Sequence, residues 1–225
     1  MRQYGQFCPL AKALDVVGDR WTLLIVRELA IRPCRYTDLR DGLPGIATNL
    51  LADRLKSLEA AGVITAETAP PPVATTLYRL AERGEALLPA ADALARWGAP
   101  LLADADDTDE VRARWLVPAV RTMFAGVDVG DIDALEVALD LDDEPITLSV
   151  ESGQLHAELG TARNPDVHIA CDGPTAVAIL RGQLHLDAAT RQHRAQIKGT
   201  RTARARLARL VNAGATRRQS APETS

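Results

Sequence analysis

Between residues 36 and 64 the chain reads YTDLRDGLPGIATNLLADRLKSLEAAGVI, and its apolar positions fall at helical spacing. Leu51, Leu55 and Leu58 recur at intervals of four and three, so they share one stripe of a helix. The opposite stripe carries Asn49, Ala52, Asp53 and Lys56. Leu43, Pro44 and Gly45 precede this helix; the proline and glycine end a shorter helix and turn the chain. Upstream, 10–17 and 21–29 are two more apolar-periodic helices. Downstream, 63–66 and 76–80 read as strands joined across a proline-rich tip at 69–73, which makes a hairpin. A helix over about 81–102 follows, and Pro89 is expected to kink or split it.

The second half changes rhythm. Residues 111–124 read as a helix weighted by Trp115, Val120 and Phe124. Alternation at period two marks strands at 135–139, 146–150, 155–159 and 167–171, with Gly153 suited to a tight turn. Gly173 and Pro174 open a helix over 175–180, and a strand at 195–198 and a helix at 203–211 complete the pattern. The expectation is a meander of three or four antiparallel strands, then helix, strand and helix. The predicted fold class is α+β, in two domains at 1–103 and 111–214. An acidic linker at 104–110 separates them, and a polar tail at 215–225 is expected to be disordered.

A chain of 225 residues suits two domains of about 100 each. Net charge is -4, which argues against a non-specific nucleic-acid coat. Residues 1–103 carry 12 basic and 11 acidic side chains, so attraction to phosphate there has to come from a local patch. Three cysteines, no secretory signal and no long apolar run predict a cytoplasmic chain with reduced thiols and no membrane span.

A helix anchored by leucines and bare of bulky side chains outside is a shape that the DNA major groove admits. The candidates for base contact are Thr48, Asn49, Ala52 and Lys56: Asn pairs with adenine, Lys with guanine or phosphate, and Ala leaves room for a thymine methyl. Asp53 is repelled by phosphate and is expected to pair with Lys56 along the helix. Arg54, on the flank of the stripe, is expected to bond within the domain. Arg35, Tyr36 and Thr37 open the preceding helix, where a cation and backbone N–H groups suit phosphate. For each of these residues a solvated surface role is an equal alternative.

The element order is that of a winged helix-turn-helix. CPLAKALDVVGDRWTLLIVREL at 8–29 resembles the opening signature of the HxlR-type bacterial transcriptional regulators. The likeness runs through YTDLRDGLPGIA, LADRLKSLEAAGVI and LYRLAERGEALLP to Trp97, covering about residues 7–100. It implies a homodimer on double-stranded DNA with a two-fold operator, the helix at 81–102 taking part in dimerisation. Cys8 aligns with a cysteine that some relatives use as a redox sensor; Lys12 favours its thiolate and Asp15 opposes it, and burial beside Pro9 is the plainer reading. Two departures stand out. Thr65 replaces a basic residue common after the Ile64 position, and the wing tip, Pro70 to Ala74, carries no charge.

The second half resembles the sterol carrier protein type of domain. The resemblance rests on ITLSVESGQLHAELG, DVHIAC, AILRG and IKGTRTARARLARLV, over about 111–213. It implies an apolar tunnel for a lipid-like small molecule; a packed core without a cavity is the alternative. Cys34 is expected exposed in a turn and Cys171 buried in a strand. His156 and His168 are expected on neighbouring strands, without metal-ligand spacing, and no metal or cofactor is expected. The basic face of 203–209 reads as a solvated surface. No nucleophile elbow, P-loop or dinucleotide fingerprint points to an enzyme. Two functions follow: a dimeric DNA-binding regulator tuned by an apolar ligand, or a lipid carrier whose first domain only dimerises.

Overall fold

The structure is a computed structural model that describes residues 3–68, 75–104, 110–124, 129, 132, 134–141, 144–180 and 182–219. The wing tip at 69–74, the linker at 105–109 and the tail at 220–225 lie outside the described residues. The chain divides into two compact units, Met1–Leu94 and Ala95–Ser225.

The first unit begins with α1 (Pro9–Val17), started by a proline whose missing N–H costs nothing at that position. After α2 (Thr22–Ile31) come β1 (Cys34–Arg35), α3 (Tyr36–Gly42) and α4 (Thr48–Ala60), then β2 (Ile64–Thr68) and β3 (Thr76–Leu80). Three strands make an antiparallel sheet in the order β1-β3-β2, with Cys34 opposite Tyr78 and Ile64 opposite Leu80. The core gathers Ile25, Val26 and Leu29 from α2, Leu39 and Leu43 around α3, and the three leucines of α4. β1 has no counterpart in the sequence reading, since two residues carry no period. It also corrects the reading of Cys34, which is only 3% exposed because strand pairing carries it under the sheet.

The long helix expected at 81–102 is two helices and a 3-10 turn: α5 (Glu82–Glu85), α6 (Leu88–Gly98) and Ala99–Asp104. The break falls at Ala86 and Leu87, and Pro89 lies in the first turn of α6.

In the second unit a 3-10 turn (Ala113–Trp115) leads into α7 (Leu116–Phe124). The strands are β4 (Leu135–Leu141), β5 (Glu144–Glu151), β6 (Gln154–Leu159), β7 (Val167–Cys171) and β8 (Ala195–Gly199). They form one sheet in the order β6-β5-β4-β7-β8. Its partners are α8 (Gly173–Leu180), α9 (Leu186–Arg191) and α10 (Arg201–Gln219). One sheet face, carrying Val137, Leu148, Ala157 and Ile169, packs with α7 and α10 residues in a single core. The other face carries Asp140, His156, Glu158 and Lys198, as the alternation of a one-sided sheet requires.

The antiparallel meander holds for β4, β5 and β6 and is corrected at the fourth strand. β7 pairs with β4 in parallel, Val137 opposite Val167, while β8 returns antiparallel to β7. Period-two alternation fixes the buried face of a strand but not its neighbour's direction. The same crossover corrects the histidines: β5 and β4 stand between the strands of His156 and His168. His168 instead contacts Asp140 at 2.8 Å. Among the described residues no group of His, Cys, Asp or Glu could hold a metal. The helix α10 runs through Gln219, further than 203–211 and into the expected disordered tail.

Candidate nucleic-acid interface

The helix α4 sets its leucines inward and its polar stripe outward. Leu51, Leu55 and Leu58 are at most 2% exposed, whereas Thr48, Asn49, Ala52, Asp53 and Lys56 are all exposed. The N-cap residue, Ala47, offers no side-chain acceptor, so the first N–H groups of α4 have no side-chain partner and point to where an anion would sit. Ahead of it Gly45, at φ +85, closes the turn, and a Cβ there would meet the Trp21 ring at 3.8 Å. Trp21 itself sits at φ +79, a region that side-chain-bearing residues seldom adopt.

Two contacts brace the helix. The Tyr36 hydroxyl donates to the Thr48 carbonyl at 2.7 Å, tying the start of α3 to the first turn of α4. Arg54 pairs with Asp19 at 2.6 Å, from the loop between α1 and α2. Arg54 therefore bonds within the unit, and Tyr36, half-buried, has its hydroxyl engaged on the protein rather than standing free for phosphate. Asp53 and Lys56, expected to pair, do not come within ion-pair distance; both side chains stand exposed. Arg35 and Thr37 are exposed, and the Arg35 N–H donates to Asp38 at 2.9 Å, so this carboxylate closes the start of α3. That acid, beside Arg35, weakens any phosphate site there.

On the wing, Thr65 lies opposite Arg79, which pairs with Glu67 at 3.3 Å. The sequence reading passed over Arg79, although it supplies a cation one strand from the position where Thr65 lacks one. It also missed Asp19, since a pair spanning so much chain leaves no local signal.

Burial, then the charge of Glu59 and the neighbouring Tyr36, push the Tyr78 phenol above its ordinary value of 10.0. The fold thus favours the neutral phenol. Its contribution is full below about pH 10 and lost as pH rises through the raised folded value, because the unfolded chain ionises first. Tyr78→Phe should flatten the alkaline limb of a stability–pH curve measured by urea unfolding. An unchanged limb would remove Tyr78 from that account.

Cys8 caps α1 and is half-buried. Lys12 lies 3.6 Å from Asp15, and the same carboxylate accepts from the Tyr4 N–H, so the Lys12 charge is shared before it reaches the thiol.

A helix wedged on leucines, presenting a polar stripe beside a two-stranded wing, defines the winged helix-turn-helix class. The family model described as HxlR-like helix-turn-helix matches residues 16–106. YvaP of Bacillus subtilis, an uncharacterized HTH-type transcriptional regulator, is 32% identical over 94 residues, 41% of this chain and 87% of its own. A second uncharacterized HTH-type regulator, from Synechocystis, is 33% identical over 98 residues, 44% of this chain and 73% of its own. YodB of B. subtilis, an HTH-type transcriptional regulator, is 33% identical over 81 residues, 36% of this chain and 72% of its own. The chain belongs to the HxlR-like helix-turn-helix family. The family match ends at residue 106 and leaves most of the second unit outside it.

Proposed function

We propose that the protein is a homodimeric transcriptional regulator of the HTH type, in which α4 reads a two-fold operator and the second unit binds an apolar small molecule. The observation that carries the reading is the division of α4 into a buried leucine stripe and an exposed Thr48, Asn49, Ala52 and Lys56 stripe. Arg35 and Thr37 are the phosphate contacts in this reading, and the hydroxyl of Tyr36 orients α4 instead.

Exposed apolar side chains support the dimer. Phe7, Leu10 and Leu14 stand out from α1 and its approach, and Leu94, Trp97, Leu101 and Leu102 from α6 and the turn after it. No residue of α6 is buried, although the helix is amphipathic. Apolar patches of this kind mark protein contact surfaces. The second unit is read as sterol carrier protein-like on its one-sided five-stranded sheet with α7, α8 and α10. Cys8 is a secondary input in this reading: a Cys8→Ser variant should keep its response to the apolar ligand and lose only a response to oxidants.

The test is a mobility shift on DNA flanking the protein's own gene, with Asn49→Ala beside the parent. The parent should shift a fragment that carries a palindrome with half-sites about one helical turn apart. The variant should lose about 1–3 kcal/mol of discrimination at one position of each half-site. An unaltered sequence preference would make Asn49 a bystander, and no shift by folded protein would sink the reading. A lipid carrier is the second reading, favoured by the near-neutral first unit and the cleft of the second. Lipid retained through purification, together with no operator, would select it.

A further inference from the structure

We infer that the cleft of the second unit takes an amphipathic anion, with an aliphatic body on its floor and a carboxylate or phosphate against Arg191 and Arg204. The inference rests on the ligand reading proposed above and adds the chemical class. The cleft, of about 770 Å³, lies among α8, α9, β8 and α10, which is within the size range of small-molecule sites, roughly 300–1,000 Å³. Its floor is apolar: Ile179, Leu184, Leu186, Ile197, Leu207 and Val211. Its rim carries Arg191, Arg204 and His185 against one acid, Asp187.

The sign of the head group follows from the charge around it. Among the side chains that line the cleft, Arg191 and Arg204 are cationic and Asp187 alone is acidic, in a chain whose net charge is -4. A cationic head would be repelled there, and a neutral one would leave the rim unanswered. Arg204 is also placed. One of its terminal nitrogens donates to the Ile197 carbonyl at 2.6 Å, on the edge strand β8, which holds the guanidinium over the mouth. A guanidinium carries five N–H donors, so those left over suit the paired oxygens of a carboxylate or phosphate. Arg191 is the last residue of α9, exposed on the same rim.

The test is calorimetric titration of the full chain with dodecanoate, dodecyl phosphate, dodecanol and dodecyltrimethylammonium, each as monomers in solution. Both anions should bind about tenfold or more tighter than dodecanol, as charge-assisted hydrogen bonds imply, and the ammonium should bind weakest. In Arg191→Gln with Arg204→Gln the anions should fall to the affinity of dodecanol, while dodecanol itself is unchanged. Val211→Trp, which fills the floor, should weaken all of them; the double arginine variant keeps the test decisive if that chain does not fold. Tighter dodecanoate points to a free carboxylate ligand, and tighter dodecyl phosphate to a phosphate-headed one. Equal binding of dodecanol and the anions overturns the anionic class and leaves the apolar ligand reading standing. An anion preference that survives the double variant overturns the site. No binding of any probe removes the ligand reading itself.

Discussion

Gly84→Ala should destabilise the first unit by an amount at or above the upper end of the roughly 1–3 kcal/mol typical of overpacking. Gly84 is buried in α5, and a Cβ built there would stand 2.2 Å from the Val63 carbonyl oxygen, 3.3 Å from its carbon and 3.1 Å from a Leu80 methyl. Two of those atoms are backbone and have no rotamer to change. The Val63 carbonyl also accepts the Ala81 N–H at 3.0 Å, and Arg83 donates to the Ala61 carbonyl at 2.8 Å, so the α4–β2 junction is held from two sides. Moving α5 away would break the first bond and strain the second. Gly98→Ala, in the second unit, is the sterically free comparison: nothing lies within 4 Å of the new Cβ. There the change should be neutral or stabilising by about 0.4–1 kcal/mol, through the unfolded chain. Urea unfolding of both variants reads the difference. Equal midpoints would show that the α5 contact relaxes freely.

What could be read from the chain alone was governed by period. The helix α4 was legible because its leucines recur at helical spacing and its other side is polar, and the Leu43–Gly45 turn was legible because proline and glycine restrict what a backbone can do. The strands of the second unit were legible for the same reason, at period two. Features set by tertiary pairing were not. Local sequence places Cys34 in a turn after Pro33, whereas pairing sets Tyr78 opposite it; the alternation of β7 does not tell a fourth meander strand from one that crosses over to pair with β4. The helix α9, six residues long, is shorter than the window in which a helical period shows. Within the candidate interface, the sequence offered the exposed stripe. It did not reveal that Tyr36 is engaged on Thr48 or that Arg54 reaches Asp19, because both links depend on how three helices pack.

The clearest test of the α4 division uses two adjacent residues. Leu51 is fully buried and Ala52, the next residue, is exposed. Leu51→Ala removes core atoms from a packed site and should cost about 2–5 kcal/mol of stability, transfer and cavity terms together. Such a loss is large beside the roughly 5–15 kcal/mol that holds a domain folded, so DNA binding should weaken in proportion to unfolding. Ala52→Leu adds atoms on the solvent side. Helix propensities of the two residues are close, and exposed substitutions usually stay within about 0.5 kcal/mol. Its thermal unfolding should match the parent's, yet a bulky side chain on the face meant for the groove should abolish the mobility shift. The two variants therefore separate folding from recognition: one loses both together, the other loses recognition alone. If Ala52→Leu bound DNA as the parent does, the exposed stripe of α4 would not be the surface that enters the groove, and the stripe's assignment to DNA would have to be withdrawn.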